Sequence, residues 1–266
     1  MRAGPAALLA AAALSCAPAL QKRTPGEPPR AAPAVGGTAD AAALVAEGRE
    51  HFSHRAEPGE AQEAERLFLA AAERDGGEVD GLYGAIQARI WRIDHEAGVD
   101  RPALSAAAVD AGQACLERVP ESALCHYGLA LALGIQARER RATATDGLRK
   151  MVENLRTAAR RDPGLDQAGP DRVLALVLVR APGWPVGPGD VDASVEAARR
   201  AVELAPGYPP NRLALAETLI AAGRGDEGKA EAKQALSLAR GYEGDPDQEA
   251  WLKQGKSLLA RAERAS

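Results

Sequence analysis

Pro120, Pro163 and Pro206 stand 43 residues apart, and each follows an amphipathic, alanine-rich stretch with helical periodicity. A second ladder of small residues, Cys115, Ala158 and Ala201, runs five positions ahead of the prolines. Ala71 extends it backward, with Gly76 in the place of proline. A unit of two helices cannot bury its apolar face alone and must stack on its neighbours, so this period predicts an all-α solenoid and inclines the function towards binding. Composition supports it: aromatic residues make up 3% of the chain and hydrophobic ones 46%, as expected where helices approach through small side chains. The net charge of −4, with no basic arm or aromatic-interleaved basic patch, argues against a nucleic-acid partner.

The periodicity predicts five helix pairs: 39–55 with 60–75, 78–96 with 102–118, 122–138 with 145–161, 170–181 with 190–204, and 209–222 with 226–241. A helix over 247–264 closes the array. Its start carries Asp245 as a cap, Pro246 in the first turn and Gln248 reaching back to the cap. The run Val173 to Val179 is continuously apolar and also fits a buried strand. The repeat phase assigns it to a buried helix with Pro170 in its first turn.

In the second helix of each pair, the positions twelve and five before the terminal proline or glycine are Ala64 and Ala71, Ala108 and Cys115, Met151 and Ala158, Ser194 and Ala201. Tyr83 with Gly84, and Tyr127 with Gly128, recur in the first helices. This pattern resembles the tetratricopeptide repeat (TPR), which implies a helical-repeat fold that binds other proteins. The period is 43 rather than the 34 of that repeat, so the extra residues fall between paired helices, at 97–101, 139–144 and 182–189.

Met1 and Arg2 precede an uncharged run, Ala3 to Leu14, too short to span a membrane permanently, and this predicts an export signal over residues 1–15. The run ends in Ala13, Leu14, Ser15 and Cys16, which resembles the lipobox of bacterial lipoproteins and implies lipidation of Cys16. The competing reading is cleavage after Ala19 and a soluble exported protein. Residues 16–38 are rich in Pro and Gly without periodicity and read as a tether, which as a flexible coil spans about 25 Å. The helical domain then covers 39–266.

A narrower resemblance covers residues 160 to 240. Asp162 and Pro163, Ala168 to Pro170, the helix from Arg172 to Leu178, Pro182 to Pro185, Gly187, Gly189 and Asp190, then Ala205, Pro206, Tyr208 to Asn211 and Glu217 are similar to the T component of tripartite periplasmic (TRAP) transporters. That resemblance implies a protein lipid-anchored in the bacterial periplasm, at the outer membrane, and associated with a periplasmic solute-binding protein. A generic scaffold for an envelope complex, such as outer-membrane or pilus machinery, is the alternative.

Catalytic constellations are scarce. There is no glycine-rich phosphate loop, nucleophile elbow or metalloprotease motif, so no enzyme activity and no cofactor are expected. His51 and His54 lie three apart on a helix but lack an assured third ligand, and read as a solvated helix end rather than a metal site. Cys115 and Cys125 sit five residues either side of Pro120 on adjacent helices. They suit either a disulfide in an oxidising compartment or, as the weightier reading, two small buried packing residues. The run from Arg138 to Arg161 carries a basic excess and includes Arg140 and Arg141 as candidate anion contacts. Pairs such as Arg149 with Glu153 make a solvated face the simpler account. Tyr83, Gln87 and Trp91 follow one another at i+4 steps, fitting core packing first and a groove lining second. Trp184 is read as an anchor for its long loop, with an exposed interaction residue as the alternative. Asn211 and Glu217 read as cap and salt-bridge partners, with groove contacts second. A homo-oligomer is compatible with all of this.

Overall fold

The computed structural model describes residues 40–74, 78–140 and 144–265. Cys16, the tether and Arg141 lie outside them. The described residues form α1 (Ala41–Ser53), α2 (Glu60–Ala72), α3 (Glu78–His95), α4 (Arg101–Arg118), α5 (Ala123–Glu139), α6 (Ala144–Arg161), α7 (Leu165–Arg180), α8 (Val191–Leu204), α9 (Pro209–Ala221), α10 (Gly225–Ala239) and α11 (Gln248–Ala265). Local chemistry sets several starts. The side chains of Asp40, Asp100, Ser122 and Asp190 each accept from a backbone N–H three residues on, at 2.7 to 3.2 Å, satisfying donors that the first helical turn leaves orphaned. Prolines occupy the first turns of α4 and α9, where the missing N–H costs nothing.

Each helix packs on the next, and odd-numbered helices also touch one another: α1 on α3, α3 on α5, α5 on α7, α7 on α9 and α9 on α11. Among the described residues, even-numbered helices do not touch each other. Packing of this one-sided kind curves the array, with odd helices on the concave inner face and even helices outside. The curl is tight enough for Arg55, just past α1, to donate to Asp247 at 2.9 Å across 192 residues of sequence. Small residues make the close stacking possible: Ala64, Ala71, Ala108, Ala158, Ser194 and Ala201 are all fully buried. Cys115 and Cys125 are disulfide-bonded, with Cα atoms 5.3 Å apart, and tie α4 to α5.

Four local expectations need correction. Gln248 does not reach back to its own helix start; its Nε2 donates to Ala239 O of α10 at 2.9 Å, while Asp245 Oδ1 accepts from Asp247 N. Pro246 therefore lies in the turn before α11 rather than within it. Arg149 does not pair with Glu153 but donates across to Pro185 O and Val186 O. Trp184 is no anchor: it is 89% exposed. Its loop is held by backbone instead, through Gly189 N to Pro182 O, Asp190 N to Leu178 O, and Val186 N and Gly187 N to Gly183 O. A Cβ on Gly189 would stand 2.2 Å from Ala181 O, so that close return of the chain requires glycine.

The fourth correction concerns the extra residues of the 43-residue period: α3, α4 and α6 are 18 residues each and α4 already begins at Arg101, so the surplus expected at 97–101 lies in helix length rather than in a connection. Helix α7 starts as the repeat phase has it, with right-handed turns from near Pro170, and these are preceded by a left-handed turn at Asp166, Gln167 and Ala168, with φ of 49°, 54° and 63°. Left-handed residues other than glycine cost roughly 1–2 kcal/mol each, so three in succession persist only where the surroundings impose them.

Candidate functional site

The inner face divides into two ends. Near the starts of the inner helices, the left-handed turn sits at the centre of a polar and aromatic cluster. Tyr127 Oη donates to Asp166 Oδ2 at 2.7 Å, and Arg172 Nη2 donates to the same oxygen at 2.8 Å. Arg172 Nη1 reaches the carbonyls of Asp166 and Gln167 and Asn211 Oδ1, at 3.1 to 3.2 Å. Asn211, with no exposed surface, donates from Nδ2 to Gln167 O, Ala201 O and Ala205 O. It thereby satisfies carbonyls at the C-terminus of α8 as well as the left-handed turn. The turn is held from three helices at once. Gly169 is required beneath it, since a Cβ there would lie 2.4 Å from Tyr127 Oη and 2.6 Å from Asp166 Oδ2.

Aromatic rings extend this end on both sides. Tyr83 stacks on Tyr127 with centroids 6.1 Å apart, and Gln87 Nε2 donates to Tyr83 Oη at 3.2 Å. Arg172 lies over the Tyr208 ring at 5.1 Å, and Tyr208, Tyr242 and Trp251 meet edge-to-face at 5.4 to 6.4 Å. Burial pushes the phenols of Tyr83, Tyr127 and Tyr208 up. Burial opposes the charge on Arg172, but Tyr127 and Asp166 outweigh it and raise its affinity for the proton. The buried side-chain polar atoms of the cluster all have hydrogen-bond partners.

The other end is open. The C-terminal halves of α3, α5 and α7 and the start of α6 enclose a cavity of about 560 Å³. Ile90, Leu131, Ile135, Leu148, Met151, Val173, Leu176 and Val177 line it, and Arg138 and Arg180 stand at its rim. The apolar run Val173 to Val179 is accordingly helical, but Val173, Leu176 and Val177 remain partly exposed; the run is apolar because it faces this cavity as well as the core. Both rim arginines are oriented by carboxylates. Arg180 donates to both oxygens of Glu217 at 2.9 and 2.7 Å, and Arg138 pairs with Asp94 and Glu139. Such an aliphatic hollow with a few oriented polar groups has the size and character of a binding site.

The candidate residues thus separate. Asn211 is sealed inside the polar cluster and contacts nothing that enters the groove. Tyr83 and Gln87 border the packed end, while Trp91 stacks on His95 at 4.5 Å. Glu217 orients a rim arginine, and Arg140 lies at the end of α5. His51 is engaged by Glu60 at 2.6 Å, and the described residues contain no group of three metal-ligating side chains. Sequence reasoning missed Asp166, Arg172, Tyr127 and Tyr208 as a unit, and it missed the cavity. A signal for the latter existed in the surplus of aliphatic residues on α5 and α7, more than one buried face needs.

The tetratricopeptide-repeat profile matches residues 186–254. No curated protein matches the chain. Among solved structures, the crystal structure of a thermophilic TPR protein from Thermus thermophilus superposes with a TM-score of 0.61 at 21% identity, over 83% of this chain and 99% of that one. Together with the inner and outer helix layers and their one-sided packing, these matches make the fold of this chain that of a TPR solenoid.

Proposed function

We propose that this protein is a non-catalytic, exported helical-repeat protein, lipid-anchored through Cys16, that binds an apolar segment of another protein in its inner cavity as an accessory of TRAP-type solute uptake. The observation that carries the reading is the open aliphatic cavity between α3, α5 and α7, with its two oriented arginines, on the face where repeat solenoids hold partners. Its setting on a TPR-type fold supports a protein partner. The disulfide between α4 and α5 supports an oxidising compartment, as does the signal-like N-terminus. The periplasmic solute-binding protein is the partner implied by the resemblance over residues 160 to 240.

The test is photo-crosslinking in the native host, with a photoreactive residue at Val177 in the full chain. Recovery of a periplasmic solute-binding protein is expected, together with release of the protein from membranes in the variant Cys16→Ala. Recovery of large envelope assemblies with no solute-binding protein would replace this reading with a structural scaffold.

A further inference from the structure

The basic run from Arg138 to Arg161 does not act as one face. Arg138 turns to Asp94, Arg149 to the loop after α7, Lys150 to Asp146 and Arg161 to Glu121. Arg156 and Arg160, one turn apart on α6 and both exposed, project instead into a cleft of about 530 Å³ on the outer side of the solenoid. Arg200 of α8, absent from that run, enters the cleft from the opposite wall. It is fixed there by buried Asp171, whose Oδ1 accepts from Nε at 3.1 Å and Nη2 at 2.8 Å. Among the described residues, Arg160 has only Thr157 as a hydrogen-bond partner, at 3.1 Å, and Arg156 is paired with no carboxylate. Leu174 forms the floor, and Leu204, 49% exposed, forms part of the rim.

We propose that this outer cleft is a second docking surface, for an acidic partner segment that carries an aliphatic side chain between its carboxylates. Asp171 matches Arg200, and with Glu203 at the rim the three arginines and two carboxylates of the cleft leave one net positive charge, on the side of Arg156 and Arg160. Guanidinium groups bind carboxylates in planar, paired hydrogen bonds, and a guanidinium already oriented by a buried carboxylate loses less freedom on binding. Leu174, with exposed Leu204 beside it, gives an apolar side chain something to cover. The cleft lies between the outer helices α6 and α8 over α7, and uses Asp171 and Leu174 of α7 where the inner cavity uses Val173, Leu176 and Val177.

The probe is a fluorescein-labelled, amidated hexapeptide alternating Asp or Glu with Leu, titrated against the full chain by fluorescence anisotropy. Its Asn/Gln counterpart and vesicles of phosphatidylcholine with phosphatidylglycerol run beside it. We expect the acidic peptide to bind at least tenfold more tightly than the neutral one, and to weaken as salt rises. Arg156→Glu with Arg160→Glu should reduce affinity at least tenfold at unchanged thermal stability, because both side chains are exposed. Leu204→Asp should reduce it several-fold. Equal binding of the two peptides, no binding, or full affinity in the double variant overturns the proposal. Vesicle binding lost in the double variant without peptide binding overturns it in favour of a lipid surface.

Discussion

The two ends of the inner face are built on the same helices and do opposite things. At the helix starts, Asp166, Arg172, Asn211 and Tyr127 spend their polar groups on one another and on backbone carbonyls, and fill the interior. Towards the helix ends the same α5 and α7 present Leu131, Ile135, Val173 and Val177 to an open hollow. The difference teaches where charge sits in a solenoid of this kind. A charged network anchors the curvature in the middle of the array, and the exposed aliphatic surface is left for a partner. If so, substitutions at the first end should cost stability, and substitutions at the second should cost binding.

The largest effect is expected at the packed end. Arg172→Met leaves buried Asn211 Oδ1 and the Asp166 carbonyl without their donor, while the Asp166 carboxylate, partly exposed, keeps Tyr127 and Gln167 O keeps Asn211 Nδ2. Each buried polar atom left without its partner costs about 1–3 kcal/mol. Chemical denaturation should show a loss of about 3 kcal/mol or more, with Gly169→Ala also destabilising, because its methyl group collides with the Tyr127 to Asp166 hydrogen bond. A loss below about 1 kcal/mol would break the comparison, since the left-handed turn would then need no support from Arg172.

The disulfide gives the next effect. It closes a loop spanning 10 residues, for which the loop-entropy account gives about 2–3 kcal/mol. Cys125 lies two residues before Tyr127, so the bond fixes the start of α5 against α4 at the packed end. The variant Cys115→Ala with Cys125→Ala should melt lower than the wild type. Added reductant should lower the wild-type melt towards that of the variant and leave the variant unchanged.

The repeat period made the helices and their pairing legible, because periodic small residues have one use: close packing between neighbours. Of the connections the period anticipated, 182–189 is a long one, between α7 and α8, whereas 97–101 runs into α4 and 141–143 lie outside the described residues. The left-handed turn was not legible, since Asp166, Gln167 and Ala168 carry no glycine and nothing local marks them. Their conformation is imposed by Arg172 and Asn211, which lie 39 residues apart. Trp184 misled for a related reason. A large aromatic residue in a long loop ordinarily packs inward, but this loop closes through its own backbone and leaves the ring outside. The cavity was half legible: the apolar run in α7 was visible as an excess, though not which part of it lay open.

At the open end the expected stability effect is small. Ile135→Ser changes a partly exposed wall of the cavity, and should cost no more than about 1 kcal/mol. Leu155→Ala, at a fully buried position of α6, should cost about 2–5 kcal/mol. Crosslinking to the partner should show the reverse order, with Ile135→Ser reducing capture far more than Leu155→Ala does in the fraction that remains folded. Equal stability losses would mean that the hollow is part of the core.

The smallest effect tests the rim, and its sign follows from Glu139 at the end of α5. A hydrogen bond from Arg101 at 2.9 Å holds this carboxyl below its usual range; burial opposes the shift, and Arg138 adds to it. With the folded value depressed, the stabilisation is complete above the unfolded value of about 4.3 and disappears as pH falls through the folded value. The phenols of Tyr83 and Tyr127, pushed upward by burial, stay protonated throughout and contribute nothing to this window. Glu63 beside Arg66 and Glu227 beside Arg224 shift in the same direction, but they belong to the outer helices α2 and α10 and will not respond to changes at the rim. Arg101→Ala should therefore lower the melting temperature slightly near neutral pH and flatten part of its decline below about pH 4. The difference from wild type should shrink in high salt, because Arg101 is substantially exposed. A variant that matched the wild type across the whole titration would leave the rim held by Arg138 and Asp94 alone, and would place the orienting of the cavity mouth within α3 and α5.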